Sequence, residues 1–243
     1  MRLLYSTAYY VFFFASSLVF FPGALLLYLV TLPFDRNGRA LHLYSCFWAQ
    51  TYLKINPRWR LTIEGRDLLP TRGAAIIVAN HCSLFDIPAV YSLYRPFKFV
   101  AKASLLKVPL IGWNIALNRH VMLKRGDKES IGRMMERCEG WLDRGVPVML
   151  FPEGTRSGSG ELLPFKDGAF RLAVKKGVPV IPVAIAGTDS ILPKHGYLLS
   201  LTARCRLKVL SPVSPDSCGG DVETLRNKVR ALIGEERTRR ASG

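Results

Sequence analysis

The segment of residues 8–34 carries no charged side chain, and the charges that flank it are Arg2 and Asp35. A helix of about 20 apolar residues is long enough to span the hydrocarbon core of a bilayer. A run this long and this rich in aromatic residues is a poor candidate for the buried helix of a soluble domain. The segment therefore predicts association with a membrane.

Pro22 and Gly23 interrupt this segment near its middle. Proline lacks a backbone N–H and clashes with the preceding turn, so the segment forms either one membrane span or a kinked hairpin. Each half would hold about 11 to 13 residues, or roughly 16–20 Å of helix, which is shorter than a hydrocarbon core of about 30 Å. This length favours a re-entrant or interfacial hairpin, and Arg2, Arg36 and Arg39 favour a cytoplasmic position for both of its ends.

A second N-terminal segment, residues 39–55, has one broad aromatic and apolar face. Its members recur at helical spacings of three and four residues, and they are Leu41, Tyr44, Phe47, Trp48, Tyr52 and Ile55. The face either packs on a domain core or lies at a membrane interface, where Trp and Tyr side chains are stable. Both interpretations are open, and residues 1–56 are predicted to form the membrane-associating helices of the chain.

Beyond residue 56 the pattern changes to short apolar runs separated by helical stretches. The predicted strands are 74–80, 97–101, 120–124, 146–151, 178–185 and 204–210, and the predicted helices are 127–143, 167–176 and 221–237. Several strands are apolar throughout, as expected when both faces of a sheet are covered. Residues 57–243 are therefore predicted to form an α/β domain with a mixed, largely parallel sheet flanked by helices, and with a polar, frayed tail.

The chain is strongly basic, with 34 Lys and Arg residues against 18 Asp and Glu residues and a net charge of +16. This charge favours a polyanionic partner, and nucleic acid, anionic lipid headgroups and an acidic carrier protein all fit it. The five cysteines are widely spaced and include no CxxC pair. They argue against a disulfide scaffold or a zinc site and predict a reducing, cytosol-facing environment.

The first segment that could carry catalytic residues is NHCSLFD, residues 80–86, at the junction of a predicted strand and a predicted helix. Ligands bind beyond the carboxyl ends of the strands in open α/β sheets. There Asp86 could hold one ring nitrogen of His81 while the other nitrogen takes a proton from a hydroxyl group. Asp86 could equally cap the helix ahead of Pro88, or close a capping box that begins at Ser83. The pattern by itself leaves both interpretations open.

The second such segment is FPEGTRS, residues 151–157, which follows a strongly apolar strand and enters the loop GTRSGSG of residues 154–160. A glycine-containing loop exposes backbone N–H groups, and Arg156 beside them would complete a cradle for an anion. An ordinary turn with a solvated arginine has the same sequence features. This segment alone is therefore modest evidence.

These two segments, with KASLLKVPLIG (102–112), PFKDGA (164–169) and VPVIPVAI (178–185), resemble the motifs of the glycerolipid acyltransferase family in order and spacing. The most similar members are the bacterial 1-acylglycerol-3-phosphate acyltransferases, and the resemblance covers roughly residues 63–187. It implies the fold of that family, a mixed sheet with flanking helices.

The resemblance also implies roles for individual residues. His81 corresponds to the general base and Asp86 to its partner. The substrate-binding residues that it indicates are Lys102, Arg125, Glu153, Gly154, Thr155 and Arg156, with the two arginines at the acceptor phosphate. The chain departs from the family at Lys124, where an acidic or amide residue is frequent. The extra positive charge concerns the identity of the acceptor and leaves the type of reaction unchanged.

The resemblance implies transfer of a fatty acyl group from acyl-CoA or acyl-carrier protein to the sn-2 hydroxyl of 1-acylglycerol-3-phosphate, which yields phosphatidic acid. No metal, no bound cofactor and no nucleic acid partner are expected, and the implied location is the cytoplasmic face of a cell inner membrane. The alternative acceptors are lyso-ornithine lipid and a lysophospholipid under remodelling. A non-catalytic basic protein that binds anionic lipid is the alternative from a different class, and it leaves the ordered motifs unexplained.

Overall fold

The computed structural model describes residues 1–158 and 161–238 of the chain. Its strands are β1 (Trp59–Glu64), β2 (Ile76–Ala79), β3 (Lys98–Lys102), β4 (Val121–Leu123), β5 (Val148–Leu150), β6 (Val180–Ala186) and β7 (Ala203–Val209). Its helices are α1 (Arg2–Thr31), α2 (Arg39–Lys54), α3 (Asp86–Tyr91), α4 (Ile111–Leu117), α5 (Lys128–Asp143), α6 (Gly168–Lys176), α7 (Thr188–Ile191) and α8 (Val222–Thr238). Residues 159–160 of the predicted glycine-rich loop and residues 239–243 of the predicted tail lie outside the described residues.

The strands of the described residues form one sheet in the order β1-β7-β6-β2-β5-β3-β4. Strands β6 and β7 pair antiparallel, and the remaining neighbours in this part of the chain pair parallel. The prediction of a mixed, largely parallel sheet with flanking helices is therefore confirmed. Strand β2 illustrates why several strands are apolar at every position, because Ile76 and Val78 enter the core on one face while Ile77 and Ala79 enter the core on the other.

Strand β1 is the strand that the apolar runs did not predict. Trp59, Leu61 and Ile63 alternate with polar residues, a period of two that is typical of a strand with one covered face. It pairs with β7 at the edge of the sheet, from Trp59 opposite Ala203 onward. An alternation this short is a weaker sequence signal than a continuous apolar run.

Helix α1 continues through Pro22 and Gly23, so the favoured hairpin with its bend at these residues does not form, and the alternative of one continuous apolar helix holds. The Tyr44 hydroxyl of α2 donates a hydrogen bond to the Phe20 carbonyl at 3.0 Å, beside the turn of helix that the proline weakens. A Cβ atom at Gly23 would lie 2.4 Å from the Tyr44 oxygen, so glycine leaves the room that this contact needs. Packing against α2 therefore stabilises α1 where its own sequence would break it.

An N-terminal helical hairpin does form, but from α1 and α2, with its turn at residues 32–38. The Tyr9 hydroxyl donates to the Tyr52 carbonyl at 2.8 Å, and the Phe20 ring stacks on Trp48 with centroids 5.6 Å apart. Early residues of α1 thus meet late residues of α2, as in an antiparallel pair. The predicted aromatic face of α2 is divided, because Trp48 and Tyr52 are buried whereas Phe47 is 53% exposed.

Helix α1 contacts the α/β region near its start and about two thirds of the way along its length. The Arg2 guanidinium donates to the Leu199 carbonyl at 3.3 Å, the Leu199 N–H donates to the Ser6 hydroxyl at 2.8 Å, and the Phe21 ring lies 5.3 Å from that of Trp113. Among the described residues, α1 is the single helix long and apolar enough to cross a membrane by length and composition, and 11% of that apolar stretch is buried. Its large exposed apolar residues include Leu3, Leu4, Val11, Phe14, Leu18, Val19, Leu26, Leu29 and Val30.

The predicted division of the chain between residues 56 and 57 falls between α2 and β1. The Tyr9 ring of α1 nevertheless packs on Trp59 of β1, with centroids 5.5 Å apart, and Trp59 packs in turn on Phe85 at 5.2 Å. The N-terminal helices and one face of the sheet therefore share a single hydrophobic core.

Candidate active site

One edge of the sheet collects most of the residues that the sequence singled out. Strands β6, β2, β5, β3 and β4 run parallel, so their carboxyl ends meet at the same edge. His81 follows β2, Glu153 follows β5, Lys102 ends β3 and Arg125 follows β4. Because neighbouring strands lie about 4.8 Å apart, the backbone after β4 is roughly 14 Å from the backbone after β2. The edge therefore extends from His81 towards a row of cationic side chains.

His81 and Asp86 form a hydrogen-bonded pair at this edge. The Nδ1 atom of His81 lies 2.8 Å from Oδ2 of Asp86, and the Asp86 side chain is fully buried while that of His81 is 12% exposed. The same carboxylate oxygen accepts backbone N–H groups from Cys82 at 2.6 Å and from Ser83 at 2.9 Å. A carboxylate surrounded by donors acts as an acceptor, so Nδ1 carries the hydrogen and Nε2 has a free lone pair.

The capping interpretation of Asp86 is also partly correct. Acceptance of the Ser83 N–H by Asp86 is one half of a capping box. The other half is altered, because the Ser83 hydroxyl accepts the N–H of Phe85 at 3.3 Å and not that of Asp86. The carboxylate thus fixes the loop backbone and orients the imidazole at the same time. The two interpretations that the sequence left open are compatible.

The imidazole of His81 is held on a second side by Phe151, the residue that follows β5. The two rings stack with centroids 4.1 Å apart and an interplanar angle of 16°. Nε2 forms no hydrogen bond with any residue in the described ranges. This nitrogen is therefore available to accept a proton from a bound group.

Glu153 lies beneath the histidine loop and is 5% exposed. One carboxylate oxygen accepts the His81 N–H at 2.7 Å and the other accepts the Leu163 N–H at 2.9 Å. Burial raises the pKa of the Glu153 carboxyl, while these two N–H donors and the charge of Arg237 oppose the shift. Both oxygens are thus engaged with backbone groups, and the geometry favours a positioning role over the direct contact with the acceptor that the sequence suggested.

The rest of the 151–157 segment surrounds this carboxylate. Gly154 has φ +70°, in the left-handed region, and a Cβ atom there would lie 3.0 Å from the side chain of Lys166. The Ser157 N–H donates to the His81 carbonyl at 2.8 Å, so the two loops are joined directly. Thr155 is exposed and Arg156 is half-buried. Arg156 forms no hydrogen bond or ion pair within the described part of the chain, which leaves its guanidinium free for a ligand.

Lys102 and Arg125 are exposed at the same edge, at the ends of β3 and β4. Lys102 lies opposite Leu123 in the ladder between these strands, two positions before Arg125 in the chain. The neighbouring Lys124 has a local partner, because its ammonium lies 3.3 Å from the Asp127 carboxylate. The departure from the family pattern at this position is therefore partly offset by an acidic residue nearby.

Two residues of the site, Thr188 and Arg237, were missed by the sequence reasoning, and Asn80 of the predicted 80–86 segment had been given no role. The Thr188 hydroxyl donates to Oδ1 of Asp86, and the Arg237 guanidinium lies 3.7 Å from the Cys82 sulfur. The Asn80 side chain bonds both backbone groups of Ile185, at 2.8 and 2.9 Å, and so fixes the end of β2 against β6. Thr188 follows a predicted strand and could have been found by its position at the same edge. Arg237 had no local signal.

Cys82 lies next to the histidine but is buried, with 2% of its surface exposed. Burial, reinforced by the neighbouring Asp86 charge, raises the pKa of its thiol to about 12. A thiol with this pKa is protonated at neutral pH and is a poor nucleophile. The geometry at this edge therefore suits proton transfer by an oriented imidazole, with cations available for an anionic substrate group.

The pattern of the family described as Acyltransferase matches residues 60–186. The chain is 40% identical over 182 residues to a 1-acyl-sn-glycerol-3-phosphate acyltransferase of Chlamydomonas reinhardtii, which covers 74% of the chain and 54% of that protein. It is 36% identical to the chloroplastic 1-acyl-sn-glycerol-3-phosphate acyltransferase LPAT1 of Arabidopsis thaliana, over 84% of the chain and 56% of that protein. The chain thus spans little more than half the length of these curated relatives.

A solved structure is similar over nearly the whole chain. It is the crystal structure of the 1-acyl-sn-glycerophosphate acyltransferase PlsC from Thermotoga maritima, with a TM-score of 0.77 and 29% sequence identity. The similarity covers 97% of this chain and 96% of that one. Both the α/β sheet and the N-terminal helices therefore fall within the matched region.

Proposed function

Because the chain belongs to the acyltransferase family, we propose that it transfers a fatty acyl group from an acyl thioester to the sn-2 hydroxyl of 1-acylglycerol-3-phosphate, with phosphatidic acid as the product. The observation that carries the proposal is the His81–Asp86 pair at a sheet edge that also holds Lys102, Arg125 and Arg156. The oriented base would carry out the proton transfer, and the three cations would favour an acceptor with a phosphate group.

The proposed reaction is a direct transfer without an acyl-enzyme. Nε2 of His81 accepts the proton of the acceptor hydroxyl while that oxygen attacks the thioester carbonyl carbon. The tetrahedral intermediate then collapses, the C–S bond breaks, and the thiolate takes the proton from the imidazolium. Asp86 stabilises the imidazolium between these steps through its bond to Nδ1, as in other acid–histidine pairs. Acyl-CoA and acyl-carrier protein are both candidate donors, since each presents an acyl thioester and negative charge.

The cations would fix the acceptor by its phosphate. Arg156 belongs to the loop that is bonded to the His81 carbonyl through the Ser157 N–H, so a phosphate held there would be positioned relative to the imidazole. Guanidinium groups match phosphate oxygens in a fixed bidentate geometry. Positioning of the hydroxyl at the base is a large part of the rate enhancement in such reactions.

The experiment that tests the function is an acyl-transfer assay with purified protein, an acyl thioester and a panel of acceptors. We expect turnover with 1-acylglycerol-3-phosphate to exceed turnover with lyso-ornithine lipid or a lysophospholipid that lacks a terminal phosphate. Preference for either of those acceptors would show that the proposed acceptor is wrong and that the proposed acyl transfer is correct. No acyl transfer to any of them would contradict the proposal and favour a non-catalytic lipid-binding protein.

The same assay separates the roles of Arg156 and Glu153. Arg156→Gln removes a charge-assisted bond worth about 1.5–3 kcal/mol, so KM for 1-acylglycerol-3-phosphate should rise roughly 10- to 100-fold with a smaller change in kcat. Glu153→Gln keeps the size of the side chain but replaces one acceptor by an amide that faces a backbone N–H. It should lower kcat about tenfold and leave KM nearly constant, because the histidine loop loses its support. Equal effects of both variants on KM would contradict the positioning role of Glu153.

We further propose that the chain acts at a membrane surface, with α1 lying in the interface. Contacts of Arg2, Ser6 and Phe21 with the α/β region hold about the first two thirds of α1 along that region, whereas a spanning helix would leave the domain after its first turns. The exposed side of α1 is apolar from Leu3 to Val30, and an exposed apolar surface of this length marks a region of contact with a membrane. The cytoplasmic face of a cell inner membrane is the proposed location, since the substrate and the product are membrane lipids.

Replacement of exposed apolar residues on α1 should release the protein from vesicles. Leu18 and Leu29 are 65% and 56% exposed, and the double variant Leu18→Lys/Leu29→Lys should lower the membrane-bound fraction at least about tenfold in a flotation assay. Ile131→Lys is the matched control, because Ile131 is 42% exposed on α5. Equal flotation of both variants would contradict the interfacial role of α1.

A further inference from the structure

A cavity of about 340 Å³ lies at the edge of the sheet opposite His81. It is lined by the residues that precede β2, β3 and β5, and by the turn that leads into α2. Lys98 and Lys102 stand at the two ends of β3, so the cavity and the proposed acceptor site are separated by roughly 13 Å of strand. The cavity is therefore not part of the site described above.

The lining of this cavity is cationic. Arg39, Arg72 and Arg144 form its exposed rim, Lys98 contributes to its floor, and no Asp or Glu is among the described residues that line it. The nearby Asp35 forms no ion pair with Lys98, and its carboxylate accepts the Ala40 N–H at the start of α2 at 2.8 Å. The charge of Asp35 acts on Lys98 from nearby, so it offsets part of the positive charge of the cavity and leaves a net positive lining.

Lys98 is the most unusual member, because its side chain is 1% exposed. Its ammonium donates to the Asn118 carbonyl at 2.8 Å and lies 4.6 Å from the centre of the Trp141 ring. Burial, with a smaller contribution from the Arg119 charge, lowers its pKa to about 7. Buried ammonium groups usually have a carboxylate partner, and this one has none in the described residues.

Two further polar groups beside Lys98 are buried without a matching partner. His42 lines the cavity with 1% of its surface exposed, and its ring has one weak hydrogen-bond partner, the Arg95 backbone, and no partner in good geometry among the described residues. The Nε atom of Arg119 is also buried without a hydrogen-bond partner among the described residues. A terminal guanidinium nitrogen of Arg119 lies 3.7 Å from the point that a Cβ atom would occupy at Gly38, a residue of the cavity wall. Buried donors of this kind are normally satisfied, so their presence indicates a missing acceptor.

We propose that this cavity binds a phosphate-bearing anion, at a site distinct from the acceptor site. Arginine side chains match phosphate oxygens, and the cavity volume falls in the range of small-ligand sites. The cavity lies a few residues beyond the apolar end of α1, where Leu29, Leu32 and Phe34 are exposed. A phospholipid headgroup or free phosphate would supply the same chemistry, and the position beside α1 favours the headgroup.

The test uses the full chain with Arg125→Gln and Arg156→Gln, which remove phosphate binding at the proposed acceptor site. Binding of inorganic phosphate is measured by titration calorimetry in detergent micelles. The rim variant adds Arg39→Gln, Arg72→Gln and Arg144→Gln, whose side chains are exposed, so the fold should be kept. The control adds Arg58→Gln, Arg60→Gln and Arg204→Gln, which remove the same charge from exposed positions at the β1–β7 edge.

We expect phosphate binding in the control and binding weaker by at least about tenfold in the rim variant. In a second arm, both proteins bind vesicles of phosphatidylcholine with or without a minority of phosphatidylglycerol. Loss of the preference for phosphatidylglycerol in the rim variant alone identifies a headgroup site. Weaker phosphate binding with an unchanged vesicle preference identifies a site for free phosphate. Equal behaviour of the rim variant and the control in both arms would overturn the proposal.

Discussion

Replacement of His81 by alanine is expected to lower turnover by about two to four orders of magnitude, because the variant lacks the proposed general base. The Asp86 carboxylate would keep its bonds from Cys82, Ser83 and Thr188, so the loop should stay folded. The measurement is kcat for acyl transfer to 1-acylglycerol-3-phosphate, with the melting temperature as a check of the fold.

His195→Ala is a control for the loss of an imidazole, since His195 is exposed in the loop between α7 and β7. The control should retain the turnover of the unchanged protein. Turnover within a few-fold of normal in His81→Ala would refute the proposed mechanism, and the His81–Asp86 pair would then be a structural feature of the loop.

Replacement of Asp86 is expected to separate its catalytic role from its structural role. In Asp86→Asn the amide oxygen can accept the three donors that now reach Oδ2, and the NH₂ group can donate to the Thr188 hydroxyl. The fold should persist while kcat falls by about two to four orders of magnitude, because the charge that stabilises the imidazolium is lost. Asp86→Ala should also lower the melting temperature, since each unpaired buried donor costs about 1–3 kcal/mol of stability.

Asp67→Asn serves as the matched control, because Asp67 is exposed on the surface. The mechanism would be contradicted if Asp86→Asn kept normal turnover at an unchanged melting temperature. A loss of activity that simply followed the loss of stability in both Asp86 variants would indicate a capping role alone.

Much of the α/β region could be predicted from the chain because its strands are continuous apolar runs. Strands β2, β5 and β6 are buried on both faces, so every residue in them carries the signal. Strand β1 was not predicted, because only alternate residues of an edge strand need to be apolar. The hairpin favoured at Pro22-Gly23 does not form, for a different reason. A proline weakens a helix locally, whereas the Tyr44 contact that stabilises it comes from another helix.

The candidate site was found from its motifs, but the roles of its residues depended on contacts. The loop that contains Glu153 was identified by sequence, and its glutamate was assigned to the acceptor. In the folded chain the carboxylate accepts the N–H of His81, 72 residues earlier, and that of Leu163. A sequence motif indicates that a residue belongs to a site, but it does not indicate which way the side chain points.

The sequence by itself determined the α/β class, the order of the strands along the chain and the apolar N-terminal helix, because each depends on residues close together in the chain. It left the role of Asp86 open between a partner for His81 and a helix cap, and the folded loop combines the two. The tertiary structure decided which distant residues complete the site. Thr188 reaches Asp86 from 102 residues away and Arg237 reaches Cys82 from 155 residues away. The tertiary structure also brings Arg39, Arg72, Lys98 and Arg144 together in the lining of one cavity. Such contacts depend on the order of strands across the sheet, and local spacing carries no record of that order.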